Sequence, residues 1–428
     1  MLNNVIVFIM AGGRGQRLFP LTRDRAKPAV PFGGIYRVID FSLSNCINSG
    51  LRRIHVLTQY KSISLARHLR MAWDIFNGEL GEYIDVIPAQ QRVGDMWYRG
   101  TADSVYQNIY SIAQEKPEHV LILAGDHIYK MDYTEMLDFH ISNKAELTIA
   151  TVCMPKREAA QFGTVNRDKK GAVISLEEKN PKAKGISGRE DCVWASMGIY
   201  LFNTSVLEKE LVEDASRSGS VHDFARSIIP KMLKDKRKKR VFAYEFKDKK
   251  TRGPLYWRDI GSLDAYYNAN MDLVHITPQF NLYYKKWPIR TYHEQFPPAK
   301  TVFVEDGGSE RTGMALNSLI SEGCIISGGK VQGCVLSPDV RINSFSQVYD
   351  SVLMEGVNVS RYAKIRRAII DKDVNIPENM EIGYDLKKDK KRFTVTDSGI
   401  VIVAKGTIIE KNNKDISVHS KGVRKRQG

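Results

Sequence analysis

No apolar run in this 428-residue chain approaches the roughly 20 residues that a bilayer-spanning helix needs. The first residues pass straight into an apolar strand, with no charged segment, apolar stretch and small-residue cleavage site in sequence. A secretory leader is therefore not expected, and a cytoplasmic location is. Cysteine is sparse. The five present (Cys46, Cys153, Cys192, Cys324, Cys334) are scattered, without CxxC spacing or paired histidines. That excludes a zinc framework and a disulfide scaffold, and it reads them as reduced core residues. A GxGxxG fingerprint and a GxxxxGK[ST] loop are both missing. So is any Ser-His-Asp or Cys-His arrangement for covalent catalysis.

Charge is not lacking, and it is one-sided: 64 Lys and Arg against 49 Asp and Glu give a formal net charge of +15. Nucleic acid is one possible partner for such a surface, and anionic small molecules are another. The densest runs are 234–240, 387–392 and 421–426. None interleaves aromatics as a single-strand platform does, and no helix-turn-helix or finger spacing accompanies them. They read as solvated faces, so no nucleic-acid partner is expected.

Short apolar runs at Ile54–Leu57, Tyr83–Ile87, Val120–Ala124, Leu147–Val152, Ile199–Phe202 and Val241–Tyr244 alternate with helical patterns. Those patterns cover Asp40–Ser49, Ser62–Trp73, Ala102–Glu115, Tyr133–Asn143, Asp223–Leu233 and Leu263–Val274. Such alternation predicts an α/β domain with a doubly wound, mostly parallel sheet. Ligands of these sheets sit outside the carboxyl ends of the strands. The organisation expected is a first domain over 1–277, a Pro- and aromatic-rich linker over 278–300 and a second domain over 301–428. In the last part aliphatics recur at a step of six: Leu319, Ile325, Val331; Leu353, Val359, Ile365; Ile370, Ile376, Ile382. A six-residue step is the mark of a left-handed parallel β-helix. The register slips between the three runs, and on pattern alone an antiparallel sandwich with frequent turns is the alternative.

The residues with chemistry follow the strand ends. The run Val5–Met10 empties into Ala11-Gly12-Gly13-Arg14-Gly15-Gln16-Arg17-Leu18. Glycines there bare backbone N–H groups to a polyphosphate, and Arg17 and Lys27 supply countercharge. A tight turn without ligand would use the same glycines. Asp126, after the strand Val120–Ala124 and Gly125, suits a hard divalent cation, or it caps the next turn. Asp259 is a second carboxylate in a similar setting, and two such residues suit one Mg²⁺ across two phosphates. Glu178-Lys179 offers an ammonium for a monophosphate. In Trp97-Tyr98-Arg99-Gly100-Thr101-Ala102-Asp103-Ser104 an aromatic cluster meets a helix N-terminus, fit either for a base or sugar or for a hydrophobic staple. Pro88-Ala89-Gln90-Gln91-Arg92 offers amides for a purine edge, or is a solvated loop.

Seven segments in order, 12–18, 25–31, 40–50, 88–92, 97–103, 124–130 and 256–261, resemble the glucose-1-phosphate adenylyltransferases (ADP-glucose pyrophosphorylases). The likeness runs from the first strand past Gly399. It implies a nucleotidyltransferase domain with a C-terminal β-helix. The reaction implied is ATP + α-D-glucose 1-phosphate ⇌ ADP-glucose + pyrophosphate with Mg²⁺, usually in a tetramer that feeds glycogen or starch synthesis. By position, Gly12, Gly13, Gly15, Arg17 and Lys27 hold the ATP phosphates. Gln90, Tyr98, Gly100 and Asp103 border the nucleotide, and Asp126 and Asp259 bind the metal. Gly163, Glu178, Lys179 and Ser196, with Tyr98, take glucose 1-phosphate. Two alternatives stay open: a pyrophosphorylase for another sugar 1-phosphate or nucleotide, and a weakly catalytic regulatory subunit. Arg17, Lys27 and Asp126 are intact, which counts against the second. The chain departs from the family in reading Glu178-Lys179-Asn180-Pro181 where Glu-Lys-Pro is usual. Asp24 stands where members activated by fructose 1,6-bisphosphate carry Lys, and an acid there would repel a bisphosphate. Other anionic effectors remain expected.

Overall fold

Every apolar run singled out in the first 250 residues is a strand of one nine-stranded sheet in the computed structural model of the chain. The structure describes residues 2–90, 97–235, 240–303 and 311–409. It divides into two compact units, one comprising 1–14, 39–257 and 285–290, the other 15–38, 258–284 and 291–428.

In the first unit, Val5–Met10 lies between two parallel neighbours, Arg53–Thr58 and His119–Ala124, and Tyr83–Pro88 continues the parallel set outward. Cys192–Asn203 joins antiparallel to His119–Ala124. It also pairs antiparallel with Leu147–Pro155 and with the hairpin strand Gly163–Arg167, whose partner is Val173–Glu178. Ile6, Phe8, Val120, Ile122, Phe202 and Phe224 centre the core. Burial on both faces explains why Val5–Met10, Arg53–Thr58 and His119–Ala124 read as continuous apolar runs, whereas Tyr83–Pro88, with exposed Asp85, is only half-buried.

Two helical patterns are broken in the structure. The one over Ala102–Glu115 becomes Thr101–Tyr106 and Ile109–Glu115, because Asn108 turns its amide back to the Ser104 carbonyl at 2.8 Å instead of continuing the helix. Asp223–Leu233 becomes a π-turn over Phe224–Ile228 and a helix over Ile229–Lys234 with Pro230 in its first turn. Of the cysteines, Cys46, Cys324 and Cys334 are buried, whereas Cys153 and Cys192 are half-exposed; all five are free thiols. The stretch 278–300 is tied down: Trp287 Nε1 donates to Asn45 Oδ1 at 2.8 Å, and Arg290 N donates to Ser44 Oγ at 2.8 Å.

The second unit contains a left-handed parallel β-helix. Three sheets of short parallel strands run through it, each strand pairing with the third one after it. Stacked partners such as Asn358 and Asn375 lie 17 residues apart, not 18. Earlier stacked pairs, such as Met314 with Lys330, are only 16 apart and later ones 17. Each turn is therefore one or two residues short of 18, which is why the aliphatic step slips between Val331 and Leu336, between Val348 and Leu353, and between Ile365 and Ile370. All six are buried in the coil's core. After Glu381–Ile382 the chain leaves the coil through the helix Leu386–Asp389. It then returns as Val401–Val403, parallel to Ala368–Ile370. This excursion holds the basic run 387–392; residues 236–239 and 421–426 of the other runs lie outside the described residues.

The segment 15–38 and the helix Leu263–Asp272 pack in this unit too. Tyr266 donates to the Pro31 carbonyl at 2.7 Å, Gly33 N to Asn270 Oδ1 at 3.0 Å, and Tyr267 to the Asp350 carbonyl at 2.6 Å. Arg25 and Asp371, 6% and 1% exposed, make a two-pronged ion pair at 2.7 and 2.9 Å. No helix among the described residues is long and apolar enough to cross a membrane.

Candidate active site

The loops at the carboxyl ends of the parallel strands carry Gly12, Gly13, Gln90, Tyr98, Gly100 and Asp126 of the first unit. Ala11 N donates to the Leu57 carbonyl and Gly125 N to that of Met10, so the sheet's hydrogen bonding sets both loops where the strands stop. A Cβ on Gly12 would meet Gln59 Cβ at 3.2 Å, whereas at Gly13 it would meet nothing within 4 Å. Packing does not demand glycine at 13. Arg14 stacks over Tyr60 at 4.9 Å. Gln90 is exposed just beyond Tyr83–Pro88, while Gln91 and Arg92 lie outside the described residues.

Tyr98 is half-buried and accepts a hydrogen bond from Asn108 Nδ2 at 2.9 Å. Burial raises its phenol pKa. Gly100 precedes the helix Thr101–Tyr106, and a Cβ on it would come within 2.3 Å of the His222 carbonyl, which accepts from Ala102 N at 2.9 Å. The Asp103 carboxylate is 3% exposed and accepts from Arg99 N and Gln107 Nε2, both at 2.9 Å. It braces the Arg99–Gln107 turn from inside.

Asp126 is half-buried, with His127 Nε2 at 3.6 Å from its Oδ1. The ring of His127 lies against Trp257, centroids 5.2 Å apart, and 3.5 Å from where a Cβ on Gly198 would stand.

Gly163, Glu178, Lys179 and Ser196 are brought together at one end of the hairpin. Gly163 pairs with Glu178 across it, and Glu178 Oε1 fills the space of the missing Cβ at 2.7 Å. Lys179 N donates to the Phe162 carbonyl at 3.1 Å, and a φ of 52° turns the exposed Lys179 out of the strand. Ser196, 7% exposed, sits where a bulge breaks the pairing of Cys192–Asn203 with Leu147–Pro155. Burial, then the negative field of Asp223, raises the Glu178 pKa, against the cations Arg226 and Lys179. Sequence reasoning missed Asp223 and Arg226 as parts of this surrounding. The signal available was an acid directly before an apolar helical run, a cap pattern: Asp223 Oδ1 accepts from Ala225 N and Arg226 N, and its Oδ2 from Thr101 Oγ1 at 2.9 Å. Tyr200, on the same strand as Ser196 and with its phenol pKa raised by burial, was missed as well.

The second unit holds Gly15, Arg17, Lys27 and Asp259. Gly15 has a φ of 64°, and a Cβ on it would stand 2.9 Å from Thr22 Cγ2, so this position does demand glycine. Thr22 Oγ1 donates to the Gly15 carbonyl at 2.8 Å, closing the loop that presents Arg17 on a short 3₁₀ turn. Lys27 Nζ lies 3.2 Å from Asp259 Oδ1. A Cβ on Gly261 would stand 2.8 Å from Asp259 Oδ2 and 3.3 Å from Arg17 Nη2. Arg17, Lys27, Asp259 and Gly261 therefore form one constellation of two cations and a carboxylate around a bare backbone. Hard carboxylate oxygens at Asp126 and Asp259 are the donor type that Mg²⁺ selects.

Residues 6–275 match the nucleotidyl transferase family, and residues 297–403 match the GlmU-like C-terminal hexapeptide family. The glucose-1-phosphate adenylyltransferase of Koribacter versatilis is 53% identical over 411 residues, covering 95% of this chain and 97% of its own. That of Rhodopirellula baltica is 52% identical over 96% of this chain and 92% of its own. The Vibrio cholerae protein named glucose-1-phosphate adenylyltransferase 2 is 49% identical over 94% and 98%. With this likeness along the whole fold, the chain belongs to the glucose-1-phosphate adenylyltransferases, a family of nucleotidyl transferase enzymes.

Proposed function

We propose that this chain joins ATP and α-D-glucose 1-phosphate into ADP-glucose and pyrophosphate for glycogen synthesis, by in-line attack of a sugar-phosphate oxygen on the ATP α-phosphorus. Two anionic reactants repel each other, and the reaction needs position and countercharge more than a protein nucleophile. Arg17 and Lys27 hold the ATP phosphates and neutralise the charge that builds on the leaving pyrophosphate. Backbone N–H groups of Gly12, Gly13 and Gly15 line the phosphates, and Gln90, Tyr98, Gly100 and Asp103 border the nucleoside. Lys179 and Ser196 take the sugar phosphate, with Glu178 beside Gly163 set for the sugar hydroxyls. Asp126 and Asp259 would hold Mg²⁺, which would supply charge neutralisation for the phosphates. The observation that carries this reading is the gathering of Gly163, Glu178, Lys179 and Ser196 at one hairpin end, in a family whose named members act on glucose 1-phosphate.

The functional division we adopt is a catalytic domain over 1–277, a linker over 278–300 and a β-helix domain over 301–428. A cytoplasmic homotetramer under control of anionic metabolites completes the reading. The test is pyrophosphate release with ATP, UTP, GTP and dTTP against glucose 1-phosphate, then against other sugar 1-phosphates. Turnover confined to ATP and glucose 1-phosphate supports the assignment. Preference for another pair replaces the substrates, and no turnover with any pair favours a regulatory subunit.

A further inference from the structure

A second recess lies in the first unit, at the far end of the hairpin from Gly163 and Glu178. It has a volume of about 660 Å³, the size of a small-molecule site. Its apolar lining is Ile174, Phe139 and Tyr244, with Val165 and Trp194 buried behind them. Its walls carry five cations, Arg167, Lys169, Lys170, Lys184 and Lys247, against two carboxylates, Asp168 and Glu245.

Both carboxylates are already engaged. Glu245 takes Arg167 at 3.1 Å and Lys247 at 3.0 Å. Asp168 accepts from Lys170 N at 2.8 Å and Ala172 N at 2.9 Å, bracing its own turn. Among the described residues, Lys169, Lys170 and Lys184 then face the recess without a carboxylate partner. Arg167 is fixed from three sides, stacked 4.1 Å over the Trp194 ring and bonded to the Ala243 carbonyl and Glu245. Lys169, Lys170 and Lys184 are exposed at the rim, where their summed field attracts an anion entering the recess from solvent.

We propose that this recess is a second, non-catalytic binding site for an organic phosphate monoester. The phosphate meets Lys169, Lys170 and Lys184, and the organic body lies against Ile174 and Tyr244. Inorganic phosphate alone leaves the floor unused, and a neutral sugar leaves the cations unpaired. A dianion with an apolar or ring body uses both. The strand that carries Trp194 carries Ser196 two residues on, with its side chain on the same face, so the recess shares strand and hairpin with the proposed sugar-phosphate site.

The probe is phenyl phosphate, with inorganic phosphate and phenol beside it, titrated into the full chain and followed by saturation-transfer NMR. No turnover is read, so the result does not depend on the proposed reaction. Saturable binding of phenyl phosphate, tighter than inorganic phosphate or phenol, is expected. Exposed Lys170 and Lys184 can be reversed without touching the core, and K170E/K184E should weaken phenyl phosphate at least about tenfold. Ile174→Asp, at an exposed apolar position of the lining, should bring its affinity down to that of inorganic phosphate. Equal affinity in the wild-type chain and K170E/K184E, or no saturable binding in the wild-type chain, overturns the proposal.

Discussion

Lys27 and Asp259, 232 positions apart in the chain, form an ion pair at 3.2 Å with side chains 11% and 29% exposed. Each is a candidate for the same chemistry, one as a phosphate-binding cation and one as a metal-binding carboxylate. Their pairing holds both in place, and it leaves a competition that ligands settle: phosphate draws the ammonium, and a divalent cation draws the carboxylate. Lys27→Met should lower kcat by about 10²–10³-fold, the usual cost of one charge-stabilising donor. Steady-state pyrophosphate release checks this, and a change confined to the ATP KM would assign Lys27 to binding alone.

Lys179 leaves its strand at a φ of 52° with its backbone N–H tied to Phe162. Lys179→Ala should raise the KM for glucose 1-phosphate by roughly 10- to 100-fold, the loss of one or two charge-assisted hydrogen bonds. The KM for ATP should move far less. Equal shifts in both would remove Lys179 from the sugar-phosphate site.

Asp126→Asn keeps the size of the side chain and removes its charge. It should cut kcat by about 10² or more and raise the Mg²⁺ concentration needed for half-maximal rate. Mn²⁺ binding followed by electron paramagnetic resonance gives a readout apart from turnover. Wild-type metal affinity in the variant would refute the metal role.

Arg25 and Asp371 are both buried, so removing one strands the other's charge. Asp371→Ala should cost about 3–5 kcal/mol and lower the thermal unfolding midpoint of the full chain. Replacing both, as Arg25→Met with Asp371→Leu, should recover much of that loss. A double variant no more stable than Asp371→Ala alone would mean that the charges do not act as a pair.

His140 is held between Thr148 Oγ1 at 2.8 Å and Asn203 Oδ1 at 3.0 Å, and burial lowers its pKa from 6.5 to about 4. The folded chain therefore binds this proton less readily than the unfolded one. Stability from the neutral ring is complete above pH 6.5, and it declines as pH falls from 6.5 toward 4. The loss is on the order of 3 kcal/mol. His140→Gln should flatten that part of the curve of urea midpoint against pH. A wild-type slope in the variant would place the titration elsewhere.

Much of this was legible along the chain. Every apolar run singled out before position 250 is a strand, and the central ones, buried on both faces, leave a local record that needs no knowledge of their partners. The hexad step in the last third likewise recorded the coil. Its slips stayed unexplained until the stacking at 16 and then 17 residues, as of Asn358 on Asn375, was seen. The breaks at Asn108 and in the π-turn after Asp223 were not legible, since an Asn amide bonded back to Ser104 competes with helix continuation only in three dimensions.

The sequence by itself determined the inventory: glycines after the first strand, Arg17 and Lys27 behind them, carboxylates at 126 and 259, and the order of strands and helices. These depend on neighbours within one turn or one strand, where propensity and periodicity act. Tertiary structure alone decided the partners. It set Glu178 into the space left by Gly163, paired Lys27 with Asp259, buried Arg25 against Asp371 and gathered cations around Trp194. Those choices turn on which surfaces leave water together, and a buried charge or missing Cβ acquires its meaning only from the group that packing brings beside it.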